Sequence, residues 1–209
     1  MAKDKPLSAL REAIEDDETD PRIMTKLDLL ENLYAAAETK DGKAIMEAAR
    51  KLKAHQDDML AEGKKLQAAM AAALDKAKAV ADPEKRTTEL LAAFEFSAKV
   101  QFEAYDVLDD KETGDAAVVQ AHAIAEALDA IPPGRRAALA KFLDSPDDGV
   151  LVMAAIHLKK IMLDRVTPIL REIEERQSPS SIGFAAMWAL PPDPSIEVPK
   201  PKGGAKEKS

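Results

Sequence analysis

Apolar residues recur along this chain every three or four positions, and no stretch sustains alternation of apolar and polar residues. The first interval belongs to helices with one buried face, whereas alternation would mark strands. Turn residues and caps divide the pattern. Pro6 stands at the head of LSALREAIEDD, and Asp20 with Pro21 forms a cap and first-turn pair for a helix that stops near Gly42. A long helix is expected over 43–81, and Asp82 with Pro83 opens another that runs to about 108. DKETGD reads as a connector, with Thr113 or Asp115 capping AAVVQAHAIAEALDAI. Pro132-Pro133-Gly134 ends that helix and launches RRAALAKFLD. Helices then continue to about Gln177, broken near Asp164 or Pro168, and a short last one covers 181–190. Beyond PPDP the chain is too rich in Pro, Lys, Gly and Ser to bury, and a flexible tail is expected. The predicted class is all-α.

The long third segment carries a seven-residue repeat. Ile45, Leu52, Met59, Leu66, Ala73 and Val80 form one row, and Ala49, Gln56, Gly63, Met70 and Ala77 follow four residues behind its first five. Such a seam packs one long helix along another. Short connections favour an antiparallel neighbour in the same chain, such as the next helix with Leu91, Phe94, Ala98, Phe102 and Tyr105 on one face. A second subunit is the alternative. Gly63 is read as a bend, costing about 1 kcal/mol relative to Ala.

Residues 139–163, LAKFLDSPDDGVLVMAAIHLKKIML, place two apolar helices around an acidic turn. Ser145 can accept a bond from an orphan N–H of the second helix, and Asp147 and Asp148 complement the positive end of its dipole. Val150, Ala154, Ala155, Leu158 and Met162 share one face, opposed by Leu139, Phe142 and Leu143. A helix pair with small residues at its crossing cannot bury its face alone and must stack on others, as in a helical repeat.

Composition narrows the picture. At 209 residues with 46% hydrophobic content the chain can build a core, and 4% aromatic residues fit helices better than strands. The absence of cysteine removes disulfides and thiolate ligands and fits the cytoplasm. No run approaches the roughly 18 apolar residues needed to span a bilayer, so no membrane segment is expected. A net charge of −8 disfavours nucleic acid and favours a basic partner.

Candidate chemistry is sparse. His122 and Glu126 share a helix face without a third ligand, so exposure or a simple hydrogen bond is the expectation. His157 reads as partly buried and His55 as a surface residue. DDKETGDAAVVQ imitates a calcium loop through Asp109 and Gly114. Lys111 and Gln120 stand where ligands are needed, and the loop is rejected. Arg135-Arg136 has no aromatic or basic company to make a nucleic-acid footprint. No catalytic residue, metal site or cofactor is predicted.

FLDSPDDGVLVMAA resembles a HEAT-type repeat turn. With LLAAFEFSAKVQFEA, carrying Ala98, Gln101, Glu103 and Ala104, and SSIGFAAMWAL, carrying Gly183 and Leu190, the region 87–190 is similar to a small bacterial HEAT-like family, domain of unknown function 2019. Leu151 departs from it, since these families often carry Arg after the second helix's Val. A polar contact between repeats is then missing, or an apolar element covers that face. The resemblance implies an α-α superhelix and, because members are often encoded beside bacterial toxins, an immunity protein that neutralises a cognate toxin.

The reading is therefore an N-terminal helical region over 1–82, a HEAT-like domain over 83–190 and a tail over 191–209. Its expected role is a cytoplasmic, non-enzymatic protein-binding module with a basic toxin domain as partner. The alternative is a scaffold, chaperone or adaptor that forms a homodimer through its N-terminal helices. Asp109, Asp110, Asp147 and Asp148 are the expected contacts to a basic partner, against solvated turns and a cap as the other reading. Trp188 is either a partner-binding anchor or a core plug, and its neighbours Phe184, Met187 and Leu190 favour the core.

Overall fold

The computed structural model of the protein describes residues 20–177 and 180–191. The helix expected after Pro6 and the tail after 191 lie outside them. The described residues form seven α-helices and no strand: α1 Pro21–Thr39, α2 Gly42–Ala79, α3 Pro83–Glu103, α4 Lys111–Asp129, α5 Asp148–Leu158, α6 Leu163–Gln177 and α7 Ser181–Ala189. A π-helical turn, Ala104–Leu108, extends α3, and a 3₁₀ segment, Arg136–Asp144, precedes α5. The protein is all-α. None of the described helices is long and apolar enough to cross a membrane.

The caps explain most boundaries. Asp20 accepts from the Arg22 N–H at 2.8 Å, Asp41 from the Lys43 N–H at 2.9 Å, and Asp82 from the Lys85 N–H at 2.8 Å. Each satisfies a backbone donor with no partner inside its helix. The Arg22 guanidinium then ties three elements together, reaching Asp20, Glu62 of α2 and Glu103 of α3 at 2.8–2.9 Å. The bond to Asp20 raises the Arg22 pKa, and the same bond holds the Asp20 carboxyl below its usual range.

The seam of α2 is covered within the chain, by α1, α3 and α4. It does not follow the seven-residue register throughout. Gln56 is exposed and His55, expected at the surface, is half-buried between α1, α2 and the π-turn. The inward row runs Ala48, His55, Gly63, Met70, Ala77. A straight α-helix drifts by about 20° per heptad, so the same side is regained every 7.2 residues rather than seven. Gly63 marks a close approach instead of a bend. A Cβ there would overlap the Asp110 carboxylate and come within 2.7 Å of the Thr113 hydroxyl.

That approach overturns the expected connector. Helix α4 begins at Lys111, and its cap is Asp110, whose carboxylate accepts from the Thr113 N–H at 3.1 Å and from the Thr113 hydroxyl at 2.6 Å. Thr113, Gly114 and Asp115 lie inside the helix. Gln67 of α2 donates to Thr113 Oγ1 at 2.8 Å, completing a buried polar relay under Gly63. Gly114 is required by the ring of Tyr105, which would lie 2.6 Å from a Cβ.

The main core gathers Leu74 and Ala77 of α2 with residues of every later helix, from Leu90 and Phe94 to Leu170 and Ala186. Helix α5 lies deepest: Val150, Val152, Met153, Ala154, Ala155 and Leu158 are all at most 2% exposed. Leu139, Phe142 and Leu143 oppose it as expected, but from a 3₁₀ segment whose three-residue turn stacks Leu139 above Phe142. Leu151 packs against this core partly buried. The cap before α5 is Asp147, accepting from the Val150 N–H at 3.0 Å; Ser145, expected to cap, instead accepts from the Asp147 N–H. The break expected near Asp164 or Pro168 falls over 159–162, and Pro168 sits inside α6.

His157 faces the core edge-on to Phe94, 5.5 Å between centroids, and lies 5.8 Å from His122. Burial, with smaller contributions from His122 and Arg136, lowers its pKa to about 4. The native state therefore holds it neutral, while the unfolded chain takes up a proton below about pH 6.5.

Two measurements check these contacts. Replacing Gly63 by Ala should lower unfolding free energy in urea by about 1–3 kcal/mol, because the cap it meets is buried and hydrogen-bonded. His157→Leu should flatten the stability-versus-pH curve. In the natural protein this group's contribution is complete above about pH 6.5 and is lost as pH falls toward 4, by at most roughly 3 kcal/mol. Equal slopes for the two proteins across that window would show that His157 is not held neutral by the fold.

Candidate protein-binding surface

Helix α7 is apolar on every side, SIGFAAMWA, yet only one side is buried. Ser180 caps it, accepting from the Gly183 N–H at 3.2 Å. Gly183 and Ala186 turn inward, where small side chains let α7 lie close on α5 and α6. The large residues are thereby turned outward: Phe184 is 59% exposed, Met187 43% and Trp188 72%. Their spacing of three and four places them on one ridge. The rings of Phe184 and Trp188 meet edge-on at 5.9 Å. Trp188 is therefore not the core plug that its apolar neighbours favoured, and Phe184 and Met187 join it at the surface.

The four aspartates are divided by the fold. Asp109 ends the π-turn in the left-handed conformation (φ 53°), exposed and paired with Lys26 of α1 at 2.8 Å. Asp110 is 5% exposed and spent on the cap of α4, so its carboxylate does not present to a partner. Asp147 caps α5, and Asp148 is held by Arg176 at 2.6 Å and Gln177 at 2.7 Å. Both acidic turns are nevertheless tied to the start of α7. Ser181 donates to Asp106 of the π-turn at 2.7 Å, and Gln177, which holds Asp148, ends the helix before it. Trp188 stands seven residues further along, about 10 Å at helical rise.

The groups with shifted pKa elsewhere are occupied by structural pairings. Burial and the Asp115 carboxylate raise the Tyr105 hydroxyl to about 12, in a bond of 2.6 Å, and Lys111 with Tyr105 lowers Asp115. Glu84 is lowered chiefly by its hydrogen bond to Arg135. His122 and Glu126 pair at 3.3 Å in solvent. Among the described residues no three His, Asp or Glu side chains are grouped as metal ligands.

No protein-family model, curated protein or solved structure matches the chain.

The ridge makes Trp188, the chain's single tryptophan, a direct reporter. Its fluorescence in the free native protein should be red-shifted and quenched by acrylamide nearly as readily as in urea. Trp188→Ala should change stability by no more than about 0.5 kcal/mol, as at a surface site, whereas Phe142→Ala should cost about 3–5 kcal/mol. A blue-shifted, protected emission would restore Trp188 to the core.

Proposed function

We propose that the chain is a non-enzymatic protein-binding module, an immunity protein that binds and neutralises a cognate bacterial toxin. The observation that carries the binding reading is the outward ridge of Phe184, Met187 and Trp188 on an otherwise packed helix, the last of those described. Aromatic and Met side chains on a rigid helix are the usual anchors of a protein interface, because they supply contact area at little loss of side-chain freedom.

The toxin class rests on the resemblance of residues 87–190 to the HEAT-like family. A HEAT-like arrangement is supported by the pairing of the 3₁₀ segment with α5, followed by α6 and α7. In a stack of helical units the last one requires a polar outer face or a partner. The outward face of α7, the last of the described helices, is apolar. The net charge of −8 suits a basic partner drawn in by long-range attraction. A non-enzymatic role is supported by the engagement of Asp20, Arg22, Glu84, Tyr105 and Asp115 in hydrogen-bonded pairings and by the packing of His157 against Phe94. A scaffold that dimerises through the seam of α2 is less well supported, since α1, α3 and α4 occupy that seam.

The test is affinity purification of the tagged full chain from its native host, followed by direct titration with the protein recovered. One basic protein is expected, bound without any catalytic turnover by this chain. Trp188→Ala should weaken its Kd by about 30-fold or more, the effect of a central anchor. The complex should also loosen steeply between low salt and 1 M salt. Undiminished binding by the Trp188 variant would sink the ridge as the docking face. Survival in 1 M salt would remove the electrostatic part.

A further inference from the structure

Where α2 meets α1 and the π-turn, side chains do not fill the space between the three elements. Leu52, His55 and Met59 follow one another at spacings of three and four and so share one face of α2. With Leu30 of α1 and Val107 and Leu108 of the π-turn they bound a cavity of about 100 Å³ that opens to solvent on one side. Its body is apolar and its polar groups are few. Lys26 and Asp109 also line it, and their ion pair at 2.8 Å bridges α1 to the end of the π-turn. His55 is half-buried, yet it hydrogen-bonds to none of the described residues, which leaves its ring nitrogens available at the cavity wall. The remaining wall is unusual backbone. A π-helical turn, a form that recurs at functional sites, ends here in Asp109 with the left-handed φ of 53°.

We propose that this cavity binds a small neutral ring molecule bearing one hydroxyl group, of about the size of phenol. Size, charge and hydrogen bonding point the same way. An apolar protein cavity of roughly 150 Å³ accepts benzene, so a space about two-thirds as large with one open side holds most of a ring and leaves its polar edge at the opening. An aromatic ring suits the walls, because the Met59 thioether makes favourable contacts with aromatic edges and the leucines supply the rest of the apolar surface. Charge selects against ions. Lys26 and Asp109 cancel one another, so a carboxylate would meet Asp109 and an ammonium would meet Lys26, with no net attraction to offset lost hydration. A hydroxyl both donates and accepts. It can donate to a His55 ring nitrogen or to the Asp109 carboxylate, and accept from the Lys26 ammonium. An apolar pocket with a few convergent polar groups is the usual form of a small-molecule site. This site is separate from the ridge on α7 and stands without it.

Phenol is the probe, titrated into the full chain to about 5 mM and followed by amide NMR shifts. A Kd of about 1 mM or tighter is expected, within reach of so small a ligand, with the shifts centred on residues 26–30, 52–59 and 107–109. Benzoate and benzylammonium should bind at least about ten times more weakly, since each brings an uncompensated charge. His55→Leu, which keeps the wall apolar, should weaken phenol by about fivefold or more, and Leu52→Phe, which fills the space, should abolish the shifts. No shift by the highest concentration, or shifts centred on Trp188, would overturn the proposal. Benzoate binding as well as phenol would overturn it too, and that comparison needs no variant to fold. Unchanged affinity in a folded His55→Leu chain would remove His55 from the site.

Discussion

Burial of α3 is the constraint on which the other placements depend. This helix touches α2, α4 and α5, and its own row of Phe94, Ala98 and Phe102 is sunk in the core. The rings at the end of α3 pack only because the helices opposite present residues small enough to admit them. Phe102 rests on Gly149, where a Cβ would lie 2.5 Å from the ring. Tyr105, one turn later, rests on Gly114. Phe94 lies 5.8 Å from Phe142 in a stacked arrangement and receives the edge of His157. The starts of α4 and α5 are fixed by these seats, because both glycines stand within the first turn or so of their helices.

A second consequence follows at the far end of α3. The π-turn adds one residue per turn and carries Asp106 out to Ser181, while Glu103 just before it takes the Arg22 guanidinium. The beginnings of α1 and α7, far apart in sequence, are thereby both tied to the end of α3, at Glu103 and Asp106. A shift in the packing of α3 would be felt at both. The ridge on α7 thus rests on packed elements rather than on a loop, the condition for presenting an aromatic anchor without a large ordering cost.

Local chemistry explains which parts of this were readable beforehand. Asp20-Pro21 and Asp82-Pro83 cap and open helices by interactions within three residues, so their sequence suffices. The Val150–Ala154–Leu158 face is also a matter of spacing. By contrast, Thr113, Gly114 and Asp115 have the composition of a turn, and only the ring of Tyr105 and the close passage of α2 at Gly63 show why they are helical. The 3₁₀ form of RAALAKFLD has no local signal either, since its residues are good α-helix formers. The drift of the α2 seam was readable in principle: the helix is long enough for 3.6 and 3.5 residues per turn to diverge by a full position.

Trp188 illustrates how hydropathy misleads on a helix that packs through one side only. Hydrophobic neighbours make a residue look buried only if the helix has partners on all sides. In SIGFAAMWA the informative residues are the small ones. Gly183 and Ala186 mark the side on which backbones approach, and once that side is known, Phe184, Met187 and Trp188 must point away from it. The bulk of the helix is therefore displayed because its small face is what packs. The same small-inside, large-outside order would bring a partner's side chains against a firm aromatic ridge instead of a deformable one. That firmness, more than the apolar area itself, is what the docking proposed at α7 would draw on.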